Sequence, residues 1–555
     1  MSKRVVWLPL VAVALLAGAN VPAASRASDI AAVAQVVAAA APAEPALADV
    51  TGVVYLDANG DGRRDPREQG LAGVKVSNGR DVAISDARGR YRLPGRERAT
   101  VFVIKPAAYA VPTGADGLPR FWQHLFPQGS PALKYGGIPA ATTPAALDFG
   151  LLHAPRRRAG ASLEMLVFGD PQPKTRTDVD YYERDIVAPL MGRHDAKLGL
   201  SVGDIVNDDL SLYADMNRVT AKLGVPWLHV AGNHDLDFDA QADEDSLLSF
   251  RNVYGPDTYA WEEPQASFVV LDDVVYRPGQ KPDYIGGLRE EQFEFLQRYL
   301  ATLPKERRVV IAAHIPFFDP VPGVETFRRA DRERLFTLLR DHAQVLLISA
   351  HTHNQRHYRH GAETGWHGAQ PLHEYNVGAT CGAFWSGVKD AQGIPDTTMS
   401  DGTPNGHAWL TIQADGRYAL RYQVARAAGD PAIGLHAPRV LRQGAYPAYG
   451  VYANVYMGEA DTRVEYRIDG GEWKPMRRVL QADPALLAEN VADDAASALR
   501  GYDRSPEANV STHLWRGTLP TDLALGEHRI EVRALDPWQG EQHAAASYRL
   551  QQAAE

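Results

Sequence analysis

MLVFGDPQ, residues 165–172, decides how this chain reads. Four apolar residues run into Gly169-Asp170, the pattern of a buried strand that delivers a carboxylate at its C-terminal tip. Four further places repeat it. KLGLSV (197–202) leads to Asp204 in GDIVND, and PWLHVA (226–231) leads to Asn233, His234 and Asp235 in GNHD. RVVIAA (308–313) leads to His314, and QVLLIS (344–349) to His351 and His353 in SAHTH. Each piece alone reads as a turn or an exposed loop histidine. Together they put a metal-capable group at five strand ends, and the carboxyl ends of strands are where open α/β sheets form their sites. In HTH the two histidines, i and i+2, share a face of an extended segment.

Amphipathic stretches lie between the later strands: LREEQFEFLQRYLATL (288–303) and DRERLFTLLRDH (331–342) have helical apolar spacing. Alternation of strands and helices makes 160–425 an α/β layered domain. On either side the texture changes to short alternating segments separated by turn residues. Residues 50–152 (GVVYL, VKVSNG, VAISD, GRYRL, TVFVI) read as a small antiparallel sandwich. Residues 436–555 (YGVYANVY, RVEYRIDG, EHRIEVRALD, ASYRL) read as a second, with a helical insertion near 484–500. The expected class is therefore multi-domain: a central α/β domain flanked by two all-β sandwiches. A length of 555 residues fits several cores, and 45% hydrophobic with 23% charged content is ordinary for globular protein.

Lys3 and Arg4 precede the apolar run VVWLPLVAVALLAGA (5–19), and small residues follow. That layout predicts a signal peptide over 1–27, cleaved after Ala23 or Ala27. The run is shorter than the ~20 residues that span a bilayer. The expectation is an exported, periplasmic protein with no transmembrane anchor after cleavage, its Ala/Pro-rich linker covering 28–49. Cys381 is the single cysteine, so no intramolecular disulfide forms, and it reads as a small buried or pocket-wall residue. A net charge of −10 with only short basic runs excludes a polymeric nucleic-acid partner from the expectations.

DANGDGRRDPRE (57–68) puts Asp57, Asn59, Asp61, Asp65 and Glu68 at the oxygen positions of an EF-hand loop, with Gly62 at its sharp turn. Strands flank it, so a structural calcium rather than a calcium switch is expected. The segment resembles the B-type repeats of bacterial surface adhesins.

In their order, the five strand-end motifs resemble the calcineurin-like metallophosphoesterase family, over roughly 160–410. The resemblance implies a four-layer α/β/β/α sandwich and a two-metal centre holding two divalent, or one trivalent and one divalent, transition metal ions. Asp204 would bridge both ions, with Asp170, Gln172 and His353 on one and Asn233, His314 and His351 on the other. It implies hydrolysis of phosphomonoesters or phosphodiesters by a metal-bridging hydroxide, with His234 as general acid or charge stabiliser. Two positions depart from the commonest pattern. Gln172 replaces a histidine nitrogen with an amide oxygen, favouring Mn or Fe over Zn. Asn207 stands where many members have the aspartate that orients the catalytic histidine; purple acid phosphatases have a tyrosine there, which argues against that branch. The loop-rich stretch 376–409 looks like that of the exported subfamily with sandwiches on both sides. Trp385, Asp401 and Asn405, with Asp208, are its candidate contacts to a small phosphoester substrate. The alternatives are a nuclease or cyclic-nucleotide phosphodiesterase of the same superfamily, or a non-catalytic cell-envelope binding protein whose ligands would be broken.

Overall fold

Two sheets meet at the strand ends singled out above. In a computed structural model of the chain, one sheet runs in the order Trp227–Val230, Leu198–Val202, Leu163–Phe168, Gly406–Ile412, Tyr418–Val424. Its first three strands are parallel and the last two antiparallel. The other runs Tyr259–Glu262, Ser267–Val270, Val309–Ala312, Val345–Ser349, Leu372–Asn376, Arg356–His360, parallel through its middle and antiparallel at both edges. The structure describes residues 47–554 except 156, 157, 159, 427, 428, 447, 448 and 502. The signal-peptide segment and residues 28–46 of the expected linker lie outside the described residues.

The parallel strands are buried from end to end, which is why they read as unbroken apolar runs. Helix Glu290–Leu300 buries Phe293, Phe295, Leu296, Tyr299 and Leu300, and helix Arg329–Leu339 buries Arg332, Leu335, Phe336 and Leu339. Both sets keep the spacing of three and four that aligns side chains on one helical face.

The N-terminal region forms two four-stranded sheets. Its first strand starts at Leu47, inside the stretch expected to be linker, and pairs with Arg90–Gly95. The same strand pairs in parallel with Phe149–His153, so the expected purely antiparallel arrangement is corrected. Alternation in a sequence carries no strand direction, which is why the sequence could not show this. This region is not a free module. Phe102 meets Phe295 of helix Glu290–Leu300 edge-on at 5.9 Å, and Phe121 meets Trp261 at 5.8 Å and Tyr259 at 5.3 Å. One continuous apolar core crosses from it into the α/β region.

The C-terminal region has its own core, around Val451, Val464, Trp515, Ile530 and Tyr548. It carries a four- and a five-stranded sheet and the helix Pro484–Ala495, capped by Asp483, whose Oδ1 accepts the N–H groups of Ala485 and Leu486. Among the described residues no helix is long and apolar enough to cross a membrane.

Candidate metal centre

The centre is built where the two sheets touch. His314 Nδ1 bonds the Val202 carbonyl at 2.9 Å, so the histidine of one sheet is aimed by a strand of the other. Gly203 makes that approach possible: its φ is +87°, and a Cβ there would lie 2.2 Å from His314 Nδ1. Gly232 is similarly forced, since a Cβ would lie 2.2 Å from the Asp204 backbone nitrogen.

The expected ligands Asp170, Gln172, Asp204, Asn233, His314, His351 and His353 come together, with His234 at their edge. His314 Nε2 lies 3.3 Å from Asp204 Oδ1, 3.1 Å from Asn233 Oδ1 and 3.2 Å from His351 Nδ1. Three lone-pair atoms thus surround one ring nitrogen, which can offer at most one proton. A divalent cation would use all of these donors at once, and their separations suit ligands about 2.0–2.2 Å from a shared ion. Gln172 Nε2 lies 3.3 Å from Asp204 Oδ2, and turning its amide over presents Oε1 there instead. His353 Nε2 lies 3.8 Å from Asp170 Oδ1, and Asp170 accepts the backbone N–H of His351 at 3.1 and 3.2 Å. The donor set fits a pair of ions.

Electrostatics point the same way. Burial opposes ionising Asp204, but the neighbouring His314 and His234 hold its carboxyl well below the usual range. Burial disfavours the His314 imidazolium, yet Asp204 raises its pKa to about 10. The site thus favours a positive charge beside Asp204. Burial pushes Asp170 up to about 8 and takes His351 down to about 3 and His353 to about 4, leaving both rings neutral with lone pairs to give.

The backbone is held in an uncommon state at these positions. Asp170 (φ 41°), Gln172 (42°), Asp204 (48°), Asp208 (65°), His351 (69°) and His353 (49°) all sit in the left-handed region. Each non-glycine residue there costs on the order of 1–3 kcal/mol, and such strain collects at functional sites.

The residue that orients His234 is not Asn207. His234 Nδ1 is 2.6 Å from Asp208 Oδ1, while Asn207 Nδ2 donates to Asp208 Oδ2 at 3.3 Å. The left-handed turn at Asp208 brings the later residue of the pair to the ring, and Asn207 steers the carboxylate from behind. Asp204 and Asp208 raise the His234 pKa above its ordinary value against the opposing effect of burial.

The other expected substrate contacts are corrected as well. Trp385 is buried and donates Nε1–H to the Pro171 carbonyl at 2.8 Å. Asp401 is buried, accepting from Gln355 and Thr403 N–H groups and facing His513 across the seam with the C-terminal region. Asn405 Nδ2 donates to Asp185 Oδ2 and to the Thr380 carbonyl. Buried polar groups must find partners, and these have found them inside the chain. Cys381 is buried beside the centre, its Sγ 3.8 Å from Gln172 Oε1 and from His353 Nδ1.

Two supports were given no role by the sequence: Asp273, which it did not single out, and Asp235, which it placed at a strand end only. Asp273, at the end of the strand Ser267–Val270, accepts the backbone N–H groups of His314 and Ile315 at 3.0 and 3.2 Å. Asp235 Oδ2 accepts those of Gly232 and Ile205 at 2.8 and 3.1 Å. Asp273 followed an apolar run like the others, so the signal was present.

In the loop 57–68, Asp57 accepts the N–H groups of Gly60 and Gly62, and Glu68 accepts those of Ala58 and Asp65. Its carboxylates are not among the convergent groups of the described residues. Those are Asp204–His314–His351 and a second set, His357–His373–Glu459. In the second set the two rings bond each other at 3.0 Å and Arg359 takes both oxygens of Glu459, while His357 Nε2 is buried without a hydrogen-bond partner.

Three family descriptions match along the chain. "N terminal of Calcineurin-like phosphoesterase" matches residues 58–134, "Calcineurin-like phosphoesterase" 164–355, and "C terminal of Calcineurin-like phosphoesterase" 374–542. The chain belongs to the calcineurin-like phosphoesterases. It has the metallophosphoesterase fold, with multiple sheets and both flanking domains. As a calcineurin-like phosphoesterase it falls in a class of metal-dependent phosphoester hydrolases. Among curated proteins none matches the chain. Solved structures similar to it include a dimetal phosphatase from Danio rerio, 17% identical, covering 47% of this chain and 95% of its own with a TM-score of 0.33. Another is a purple acid phosphatase from yellow lupin (Lupinus luteus) seeds, 10% identical, covering 68% and 66% with a TM-score of 0.36.

Proposed function

We propose that this calcineurin-like phosphoesterase is an exported enzyme that hydrolyses phosphomonoesters or phosphodiesters at a two-metal centre, within a four-layer sandwich flanked by two β-rich domains. The carrying observation is the convergence of Asp204 Oδ1, Asn233 Oδ1 and His351 Nδ1 on His314 Nε2. Asp204 sits between two donor groups: Asp170, Gln172 and His353 on one side, Asn233, His314 and His351 on the other. A bound pair of divalent ions would polarise the phosphoryl oxygens and lower the pKa of an attacking water. The chain supplies the rest. Buried neutral His351 and His353 and the amide oxygens of Gln172 and Asn233 hold the centre without adding charge. The two carboxylates Asp170 and Asp204 then leave it net positive and attractive to an anionic ester. His234, half-buried and held by Asp208, gives its proton to the leaving oxygen as the P–O bond breaks. Oxygen donors at Asp170, Gln172, Asp204 and Asn233 favour Mn or Fe over Zn.

With Mn²⁺ added, the purified chain is expected to turn over p-nitrophenyl phosphate or bis-p-nitrophenyl phosphate, to stop on chelation and to recover on Mn²⁺ return. Failure on both esters with Mn²⁺, Fe²⁺, Zn²⁺ and Ni²⁺ alike sinks the reading. Export rests on the basic-apolar-small layout of residues 3–27. Mass spectrometry of the protein recovered from a periplasmic fraction should find an N-terminus just after Ala23 or Ala27. An intact Met1 in the cytosolic fraction alone would refute export.

A further inference from the structure

Beside His234 and the ligand Asn233 lies a cleft of about 630 Å³. Asp208, Asn233 and His234 line it on the side of the centre. Its walls carry Lys134, Tyr135, Phe238, Asp239, Asp283 and Tyr284. The volume falls in the range of small-molecule sites, roughly 300–1,000 Å³. His234 faces the departing group in the proposed reaction, so the cleft is where that group would sit.

Three of the wall residues are aromatic. Tyr284 is edge-on to the ligand His351 at 6.0 Å, which ties this wall to the metal centre. Phe238 is 40% exposed, a large apolar ring left at the cleft mouth and braced by Tyr276, whose ring is 6.1 Å away and whose hydroxyl donates to the Phe238 carbonyl. Tyr135 comes from the N-terminal region. Its hydroxyl donates to the backbone carbonyl of Asp208 at 2.9 Å and receives Lys134 Nζ at 2.7 Å. The Lys134 backbone N–H donates to Asp239 Oδ2 at 2.8 Å, closing the segment onto the catalytic region. The ring of Tyr135 is therefore fixed at both ends of its hydroxyl beside the residue that orients His234.

The charges restrict what enters. The cleft holds one ammonium, Lys134, against the carboxylates of Asp208, Asp239 and Asp283. Asp208 is held by His234 and Asp283 faces Lys281 Nζ at 3.6 Å, so with Lys134 the lining is close to neutral and offers no surplus of positive charge to further phosphates on a leaving group. An uncharged ring would meet aromatic walls instead, where offset or edge-on contacts are favourable.

We infer that this cleft is a leaving-group site for phosphoesters whose departing alcohol is uncharged and carries a planar aromatic ring, and that Tyr135, contributed by the N-terminal region, is its specificity-determining residue. The inference rests on the phosphoesterase reading above and adds the substrate class. Tyr135 acts by two separable means: its ring contacts the leaving group, and its hydroxyl braces Asp208.

The test uses the full chain loaded with Mn²⁺. Hydrolysis of benzyl phosphate, adenosine 5′-monophosphate, glycerol 3-phosphate and adenosine 5′-diphosphate is compared for the natural sequence, Tyr135→Ala and Tyr135→Phe. The ring-bearing monoesters should exceed glycerol 3-phosphate in kcat/KM by about tenfold or more, and adenosine 5′-diphosphate should fall below adenosine 5′-monophosphate. Benzyl phosphate against adenosine 5′-monophosphate tells a simple aryl alcohol from a nucleoside. Tyr135→Ala should erase the ring preference, and Tyr135→Phe should keep it. Equal losses on ring-bearing and ring-free esters in Tyr135→Ala, or no preference in the natural sequence, overturn the inference. A second readout needs no turnover: benzylphosphonate should bind more tightly than methylphosphonate in calorimetry, and Tyr135→Ala should remove the difference. Ring-dependent binding with no ester hydrolysed would fail the phosphoesterase reading and keep the cleft. Hydrolysis without ring dependence would do the reverse.

Discussion

Asp204→Asn is expected to abolish phosphoester turnover and to cut bound metal to about half or less, with the fold intact. Asparagine keeps the shape and one oxygen acceptor, so the backbone N–H of His234, which now donates to Oδ1 at 2.9 Å, retains a partner. What disappears is the charge between the two donor groups. Asp170, the other carboxylate of the centre, is pushed toward protonation by burial, so it cannot take over at neutral pH without a cation already present. The substitution therefore removes the charge that the positive centre is assembled around. Elemental analysis after dialysis, with circular dichroism as the folding control, checks it. Asp415→Asn, at an exposed turn carboxylate paired with Arg417, is the matching control for a lost surface charge. Full metal content in Asp204→Asn would mean that Asp204 does not bridge, and the two-ion arrangement would fail.

How the site became legible follows from the sheet. Parallel strands buried on both faces must be apolar throughout, so a polar residue directly after one stands out, and Asp170, Asp204, Asn233, His314, His351 and His353 were visible for that reason. Asn207 and Asp208 were not separable. Beyond a strand no period fixes which way a side chain points, and the left-handed turn that brings Asp208 to His234 exists only in the folded loop. Trp385, Asp401 and Asn405 misled through composition, because a Gly-, Trp- and Asp-rich segment resembles a binding loop whether its polar atoms face a ligand or one another. Lys134 and Tyr135 left no local trace at all. Their place beside His234 depends on docking through Phe102 and Phe121 against Phe295, Tyr259 and Trp261, contacts made across more than a hundred residues of sequence. Domain boundaries blur for the same reason, since one apolar core runs through both regions.

Asp208→Asn is expected to leave metal content unchanged while moving the alkaline limb of kcat to lower pH. The proton donor is the His234 imidazolium, which loses its proton as pH rises through its pKa, so activity falls on that side. Burial alone would lower that pKa; Asp204 and then Asp208, 2.6 Å from Nδ1, raise it above the ordinary histidine value. Removing the Asp208 charge leaves burial less opposed, so the pKa falls and the limb shifts acidward, by roughly one unit for a lost partner at this distance. An asparagine oxygen at 208 still accepts from Nδ1–H and keeps the ring oriented, which separates the charge effect from a positional one. The loss in kcat near neutral pH should be no more than about tenfold, the most that a one-unit shift takes from the protonated fraction, and so below the ~10²–10⁴ that a positioned general acid supplies in total. His234→Ala should remove the alkaline limb outright. Asn207→Ala should shift it much less, because Asn207 reaches the ring only through Asp208. If Asp208→Asn lowered kcat equally at every pH, Asp208 would be holding geometry alone, and His234 would not be the proton donor whose ionisation shapes the profile.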